Sequence, residues 1–328
     1  MRILVLGGTR FIGRALVLEL QGCGHEVAVV HRGEHEGELP AEVVHIHVER
    51  SQLPARREGL ADFAADAAVD LSAMTAADAE VLVGALDPSV PLVAASSCDV
   101  YRAFASLHEG VVTDAVPLRE DAPLRNGPPP DQVVMPGWSY EAVAYDKLDV
   151  ERIYLERGAT ICRLPVVYGE HDYKRREEFV LARVRAGRGR IPVGAGTLLL
   201  SRGYAPEVAR ALRLAVERAG EGDSEVFNLA ERETATVGLW MQEILAAAGH
   251  EAELVRVPED HLPEDLGFTA ELHQPLVVDS SKAERDLGWV HAPWQECVAK
   301  SVRWHLANPP ERATNLGADD AALGAAMR

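Results

Sequence analysis

The sequence predicts an α/β fold built on a doubly wound parallel sheet, and three observations support this fold class. An apolar run from residue 2 to residue 6 ends in a glycine pair and continues into an amphipathic helix pattern. Strand and helix patterns then alternate through the first half of the chain, as in sheets of parallel strands. The 328 residues, 47% of them apolar, suffice for one large domain or two closely joined ones.

The stretch from Gly7 to Gly13 is a candidate phosphate-binding turn. Gly7 is expected to form the tight turn and Gly13 to let helix and strand pack closely, whereas Arg10 stands where a third glycine is usual. Such a turn brings backbone N–H groups and the positive end of a helix dipole close to a pyrophosphate. The residues predicted to bind a dinucleotide here are Gly7, Thr9, Arg10, Phe11, Ile12 and Gly13.

The other elements of the first half follow from the same patterns. The first helix is predicted to bury Ile12, Leu16, Val17 and Leu20. Strands are predicted over residues 26–30, 42–48, 68–72, 90–96 and 160–165, and helices over 60–67, 76–86 with Thr75 as its cap, and 142–157. The polar, proline-containing stretch from 101 to 140 is predicted to be a long loop that covers the site.

The second half is more mixed. Helices are predicted over residues 177–186, 206–218, 237–249, 281–288 and 294–307, and strands over 198–201, 225–229 and 251–257. Residues 187–190 are predicted to form a basic turn, and the tail from residue 308 is predicted to be disordered.

Composition restricts the partners and the compartment. The formal charge of −18 argues against nucleic acid or an anionic membrane as partner. The four cysteines show no paired spacing, so neither a metal site nor a disulfide framework is expected. No apolar run approaches the roughly 18 residues of a membrane span, and the start lacks a signal-peptide pattern. We therefore expect a cytoplasmic protein that acts on a small molecule.

Several short segments follow the glycine turn in a characteristic order. They are residues 96–101 (Ser-Ser-Cys-Asp-Val-Tyr), Lys147 with Glu151, residues 163–169 (Arg-Leu-Pro-Val-Val-Tyr-Gly), 202–209, 227–229 and 279–289. In this order and spacing they resemble the extended branch of the short-chain dehydrogenase/reductase superfamily, the NAD-dependent epimerase/dehydratase type. The resemblance covers nearly the whole chain.

This resemblance implies a Rossmann-type domain over residues 1–165 and a smaller α/β substrate-binding region over residues 166–307, some of whose segments return to the first sheet. A tail follows at residues 308–328. It also implies bound NAD or NADP, and an oxidoreductase, epimerase or dehydratase activity on a small metabolite or nucleotide-linked sugar. A homodimer is expected through helices at the sheet edge.

The chain departs from the family at the catalytic pair, a tyrosine four residues before a lysine. Here the lysine is Lys147, and Val143 stands where the tyrosine is expected. Candidates for the missing proton donor are Tyr140, seven residues before the lysine, and Asp99, which follows the fifth strand. His171 is a further candidate, because imidazole titrates near neutrality. Tyr145 is predicted to be a packing residue, because a helix spacing of two directs it away from Lys147.

The resemblance assigns roles to other residues as well. Lys147 is expected to hold the nicotinamide ribose hydroxyls and to supply positive charge near a developing oxyanion. The alternative is a surface lysine that pairs with Glu151. Residues expected to contact the cofactor are Ser96, Pro165 and Val166, and residues expected to contact substrate are Ser97, Tyr168 and Arg202.

The end of the second strand indicates which dinucleotide is bound. NAD-selective proteins carry an acid there for the ribose 2′-hydroxyl. This chain has His31 and Arg32 at that point, and Arg10 is predicted to project toward the same region. Two guanidinium groups suit a 2′-phosphate, so NADP is favoured, with NAD as the alternative.

The arginines of the second half and the missing tyrosine leave alternatives open. One cluster either faces a diphosphate or forms a solvated surface; it comprises Arg183, Arg185, Arg188 and Arg190.

Two hypotheses for the function remain. One hypothesis is an atypical NADP-dependent reductase, epimerase or dehydratase, which the retained Ser97, Asp99 and Lys147 favour. The other is a non-catalytic NADP-binding redox sensor or scaffold, which Val143 favours.

Overall fold

The computed structural model describes residues 1–127, 145–220, 224–312 and 314–326, which form eleven strands and eleven α-helices. The strands are β1 (Arg2–Leu6), β2 (Glu26–His31), β3 (Val44–His47), β4 (Ala67–Asp70), β5 (Leu92–Ser97), β6 (Thr160–Leu164), β7 (Val166–Tyr168), β8 (Arg190–Val193), β9 (Arg202–Tyr204), β10 (Val226–Asn228) and β11 (Glu253–Arg256). The helices are α1 (Phe11–Gly22), α2 (Arg57–Asp62), α3 (Ala76–Ala85), α4 (Arg102–Glu109), α5 (Lys147–Glu156), α6 (Glu178–Arg185), α7 (Ala205–Arg218), α8 (Val237–Ala247), α9 (Ser281–Leu287), α10 (Trp294–Ala307) and α11 (Gly317–Ala325). None of these helices has the length and apolar character needed to cross a membrane.

Seven strands form one parallel sheet in the order β10-β6-β5-β4-β1-β2-β3, which confirms the predicted fold class. Helices cover both faces: Ile3 and Val5 of β1 pack with α1 and α7, whereas Leu4 and Leu6 pack with α3 and α5. The chain order reverses between β1 and β4. In such sheets, ligands bind in the crevice beyond the carboxyl ends of the strands at the reversal.

The other strands form two parallel pairs, β7 with β9 and β8 with β11. A separate hydrophobic core lies in this part of the molecule and includes side chains of α6, α8 and α10. β10 lies within this region in sequence, between β9 and α8, yet it pairs with β6 in the large sheet. The division of the chain at residue 165 stays a prediction.

The structure corrects several predicted elements. The stretch predicted as a loop from residue 101 contains α4. The helix predicted over residues 60–67 is α2, which ends at Asp62, just before Ala64 adopts a left-handed backbone with φ of 48°. β8 occupies part of the predicted basic turn. The helix predicted from residue 142 is described only from Lys147 onward, so Tyr145 and Asp146 lie outside it.

The prediction of a disordered tail is wrong for residues 317–325, which form α11. Asp319 of this helix pairs with Arg183 of α6 at 2.7 Å, and both side chains are 1% exposed. Asp265 binds the same guanidinium at 2.6 Å. A buried guanidinium that lost its carboxylates would be costly, so this pairing holds the tail against the body of the protein.

Candidate cofactor and catalytic site

The turn between β1 and α1 needs glycine at both of its ends. Gly7 has a φ of 85°, which side-chain-bearing residues rarely adopt. A Cβ added at Gly13 would lie 1.9 Å from the carbonyl oxygen of Gly7, so only glycine allows α1 to start this close to the turn. The local geometry is therefore that of the glycine turn predicted from the sequence.

Two adjoining cavities lie beyond the carboxyl ends of β1, β4 and β5, with volumes of about 610 and 510 Å³. The first, which we call the inner cavity, reaches from the glycine turn to Asp99, Tyr145 and Lys147. The second, the outer cavity, reaches from the same turn to Arg32 and Arg50. Volumes of roughly 300–1,000 Å³ are typical of small-molecule and cofactor sites.

All but one of the residues predicted to bind a cofactor line these cavities. Gly7, Arg10, Phe11, Ile12, Gly13, Ser96, Lys147 and Pro165 line the inner cavity, and Thr9 and Arg32 line the outer one. Val166 is the exception: it packs into the separate core, and Val167 lines the inner cavity instead. Neighbouring residues of a strand face opposite sides, which explains why Val167 rather than Val166 lines the cavity. The contact of Val166 with a cofactor stays a prediction.

Tyr145 is placed differently from its predicted packing role. Its hydroxyl donates a hydrogen bond to Asp99 Oδ2 at 2.6 Å inside the inner cavity. Tyr145 would point away from Lys147 only if one continuous helix ran through both residues. Asp146 is instead the N-cap of α5, and its side chain accepts from the backbone N–H of Leu148. Tyr145 therefore precedes the helix, and it lines the inner cavity.

Asp99 and Ser97 both lie at the inner cavity, as predicted for catalytic residues. Asp99 is 2% exposed and follows β5 directly. Its backbone N–H donates to Ser97 Oγ at 3.2 Å, which fixes the turn after the strand. Cys98, between them, is buried, and burial raises the pKa of its thiol, so the thiol stays protonated at neutral pH.

Lys147 is a buried residue rather than a surface lysine. Its ammonium donates to the carbonyl oxygens of Ala73 and Ala95, and its side chain lines the inner cavity. An ammonium has three donors, and these two contacts with described residues leave one for a ligand. Burial lowers the pKa of Lys147, while the carboxylates of Asp70 and Asp99 oppose that shift.

Glu151 does not pair with Lys147 in the described contacts. It binds the guanidinium of Arg163 at 2.8 Å and accepts from Ser96 Oγ at 2.5 Å, and all three residues are buried. This pairing holds Ser96 at the floor of the inner cavity. The buried network gives the carboxyl ends of β5 and β6 a defined position under the site.

The outer cavity contains charges of both signs. Arg32 pairs with Glu34 at 2.8 Å, and both side chains are exposed. Arg10 contacts His35 through a hydrogen bond. Arg50 binds the fully buried carboxylate of Asp70 with two hydrogen bonds of 2.6 and 2.9 Å. Burial alone would raise the pKa of Asp70, but the guanidinium of Arg50 outweighs burial and holds that pKa below its usual value.

Three predicted site residues lie apart from the described lining of both cavities. Tyr168 is buried and donates to Glu231 at 2.7 Å. Arg202 is buried over the ring of Trp240, with its guanidinium carbon 4.2 Å from the ring centre. His171 stacks on Trp304. Tyr140 and Val143 lie outside the described residues.

The arginine cluster of the second half is satisfied by carboxylates rather than aimed at the cavities. Arg185 binds Glu178, Arg188 binds Asp320 at 2.6 Å, and Arg190 binds Glu253 at 3.4 Å. Together with the buried Arg183, these contacts explain why the cluster is present without a diphosphate. Arg185 and Glu178 lie on the same helix, whereas Arg183, Arg188 and Arg190 pair with carboxylates distant in sequence, which local patterns did not indicate.

Part of the sequence matches a family of known proteins. Residues 3–109 match the model of the NAD dependent epimerase/dehydratase family. The predicted resemblance to this family is confirmed. A curated relative is the chloroplast stem-loop binding protein of 41 kDa b from Arabidopsis thaliana, which is 26% identical over 311 residues, 88% of this chain and 74% of the relative.

Solved structures of epimerases and dehydratases share the fold. The dTDP-glucose 4,6-dehydratase of Bacillus anthracis in complex with NAD superposes with a TM-score of 0.70, at 16% identity, over 94% of this chain and 97% of that one. The UDP-glucose 4-epimerase of Stenotrophomonas maltophila, with bound NAD and formylated UDP-arabinopyranose, gives 0.71 at 18% identity over 94% and 98%. At these identities, the similarity concerns the fold.

Proposed function

We propose that this protein is an NAD(P)-dependent oxidoreductase of the epimerase/dehydratase class, acting on a small metabolite or a nucleotide-linked sugar. The observation that carries the proposal is the hydrogen bond from Tyr145 to Asp99, made in the same cavity as Lys147 and the glycine turn. This pair supplies a proton-transfer group where the family's tyrosine is replaced by Val143.

The residues present fit a nicotinamide dinucleotide. Gly7 and Gly13 let the turn and the start of α1 pack closely, because a Cβ at Gly13 would lie 1.9 Å from the carbonyl oxygen of Gly7 and a Cβ at Gly7 would lie 3.0 Å from Ser72 Cβ. The two cavities extend on either side of this turn. The turn would hold the pyrophosphate, Lys147 the nicotinamide ribose, and Arg10 with Arg32 the adenosine side. When bound, the nicotinamide accepts or supplies a hydride. The NAD complexes of the two structural relatives support this assignment.

The proton is carried by a two-residue relay. During oxidation of a substrate alcohol, the Tyr145 oxygen takes the hydroxyl proton while its own proton passes to Asp99 Oδ2, 2.6 Å away. Reduction of a carbonyl reverses both transfers. The free donor of Lys147 stabilises negative charge that develops on the substrate oxygen. Ser97 lines the same cavity and is the second hydrogen-bonding group for that oxygen.

Hydride exchange tests the proposed function. Purified protein is incubated with NADPH, NADH or their oxidised forms and a panel of ketones and nucleotide-linked sugars. The absorbance of the reduced nicotinamide is followed, and hydride exchange that is not net is detected as epimerised or dehydrated product and as deuterium moved within the substrate. We expect oxidation of the cofactor with at least one compound. Tight cofactor binding without hydride exchange across the panel would contradict the enzyme and favour the non-catalytic redox sensor or scaffold.

The preference for NADP is tested at Arg32. We expect Arg32→Ala to weaken NADPH binding about tenfold and to leave NADH binding nearly unchanged, because the guanidinium is offered to the 2′-phosphate. The pair with Glu34 must open for this contact, which limits the effect. Arg119→Ala is the control, because Arg119 is exposed and is not among the residues that line either cavity. Tighter binding of NADH than NADPH by the native chain would remove the assignment.

The Arabidopsis relative is named for stem-loop binding, and we do not extend that activity to this chain. Binding to nucleic acid requires clustered lysine and arginine that neutralise phosphates. The formal charge here is −18, and the arginine cluster of the second half is paired with carboxylates. Both observations favour a small-molecule substrate.

A further inference from the structure

Three histidines and one glutamate converge at the edge of the large sheet, outside the residues assigned to catalysis. They are His31 at the end of β2, Glu36 in the connection that follows, and His45 and His47 on β3. One nitrogen or oxygen from each residue lies within 4.8 Å of the corresponding atom of every other. We call these four residues the histidine cluster.

The topology explains why these side chains meet. His45 and His47 are two residues apart on a strand, so they lie on the same face. β3 pairs in parallel with β2, and His31 is the register partner of His47. The connection from β2 to β3 then returns Glu36 to the same point. Four residues drawn from three consecutive segments thus form one site.

The side chains are in direct contact, at distances slightly shorter than those between the ligands of a single ion. His31 Nε2 lies 2.8 Å from His45 Nδ1, Glu36 Oε2 lies 3.0 Å from His45 Nδ1, and Glu36 Oε1 lies 3.1 Å from His47 Nε2. Donors at about 2.0–2.1 Å from a tetrahedral zinc ion are separated by about 3.3 Å. Small outward movements of these side chains therefore produce the coordination geometry.

We propose that the histidine cluster binds a divalent transition metal ion, with Zn²⁺ as the ion that its three imidazoles and one carboxylate suit best. The site is independent of the proposed oxidoreductase function. It also differs from our sequence-based expectation, which looked for metal ligands only among the cysteines. The spacing His45-Ile46-His47 on a strand was the signal available in the sequence.

The contacts among the four residues open when the ion binds, and one contact outside the cluster must change as well. The backbone N–H of Gly33 donates to His31 Nδ1 at 3.2 Å, which requires that nitrogen to be unprotonated. Coordination through Nε2 places the proton on Nδ1, so the N–H of Gly33 must turn away. Gly33 has a φ of 85° and is exposed, so its turn can rearrange without disturbing the core.

Metal binding has a structural consequence at this position. β3 is the edge strand of the sheet, and the ion would join it to the end of β2 and to the connection between them. Metal ions that join segments brought together only by folding stabilise the folded state. Because His31 also lines the outer cavity, the ion would in addition place positive charge beside the predicted adenosine site.

The test is titration of the full chain, without a polyhistidine tag, with ZnCl₂ in a calorimeter. We expect one zinc ion per chain, and Mg²⁺ gives no binding because it prefers oxygen ligands. His45→Gln and His47→Gln each weaken zinc binding at least tenfold. His273→Gln, an exposed histidine elsewhere, leaves it unchanged. Zinc at one hundred times the native Kd raises the Tm of the native chain by about 4 °C, and it raises the Tm of a cluster variant that binds tenfold more weakly by about half as much.

Two results would overturn the proposal. The first is the absence of zinc binding by the native chain, and the second is equal affinity in the native chain and the cluster variants, which would locate the ion elsewhere. Thermal melts in EDTA establish that each variant folds. If a histidine variant fails to fold, Glu36→Gln replaces it, because the Glu36 side chain is 60% exposed and its loss leaves the strands intact.

Discussion

Replacing Tyr145 with phenylalanine is expected to lower kcat by about 10²–10⁴-fold with the substrate that turns over, because the relay to Asp99 loses the hydroxyl that joins it to substrate. The affinity for the cofactor should stay within about twofold, since no contact with the glycine turn is altered. Steady-state kinetics gives kcat, and calorimetry gives cofactor affinity. The split between the two measurements separates a proton-transfer role from general damage to the site.

Asp99→Asn completes the argument, because it keeps the hydrogen-bonding shape but cannot accept a proton. We expect a loss of the same order as for Tyr145→Phe, and little further loss in the double variant, since the two residues act as one unit. Asp121→Asn, at a side chain 86% exposed, is the carboxylate control. Full activity of either relay variant, or losses that simply multiply in the double variant, would contradict the relay.

The second large effect is expected at Gly13. Alanine there would place a Cβ 1.9 Å from the Gly7 carbonyl oxygen, so the start of α1 must move away from the turn. We expect nucleotide binding to weaken at least tenfold and the free energy of unfolding to fall by about 1–3 kcal/mol. Urea unfolding and nucleotide titration measure the two effects.

Gly22, on the same helix, provides a matched control. A Cβ added at Gly22 meets nothing within 4 Å, so alanine should stabilise the protein by about 0.5–1 kcal/mol and leave nucleotide binding unchanged. Equal nucleotide affinity in Gly13→Ala and the native chain would show that the close approach of turn and helix is not needed for the ligand.

Local patterns were sufficient for the sheet and the glycine turn. Alternating apolar runs set the strands, and helices such as α8 and α10 begin at the predicted residues because their starts depend on nearby residues. Thr75 caps α3 with the hydrogen bond expected from its position. These signals lie within a few residues of the element that they determine.

The proposed relay pair, Tyr145 and Asp99, could not be predicted from periodicity alone. The apolar pattern extended through residues 142–157, and it hid the break at Asp146 that brings Tyr145 into the cavity. An aspartate directly before a helix is a known start signal, and it was the available evidence for this break. The partner Asp99 is 46 residues away, so only the tertiary fold joins the two.

The ordered tail also could not be predicted from local sequence patterns, because the residues that hold it lie far apart in the chain. Arg183 and Asp319 are 136 residues apart, and each alone resembles a solvated charge. Their burial depends on α6 and α11 meeting, which no local composition indicates. The histidine cluster could be predicted only in part. The spacing of His45 and His47 on one strand indicates a shared face, but Glu36 and His31 join them only when β2 and β3 pair.

Calorimetric titration of the full chain with NADPH and with NADH, each at two temperatures, tests the central claim most directly. The second temperature is needed because apolar burial makes the binding enthalpy depend on temperature. We expect one nucleotide per chain, bound more tightly as NADPH and at least tenfold more weakly by Gly13→Ala. Absence of binding by either nucleotide at both temperatures would contradict the assignment of this cleft to a nicotinamide cofactor.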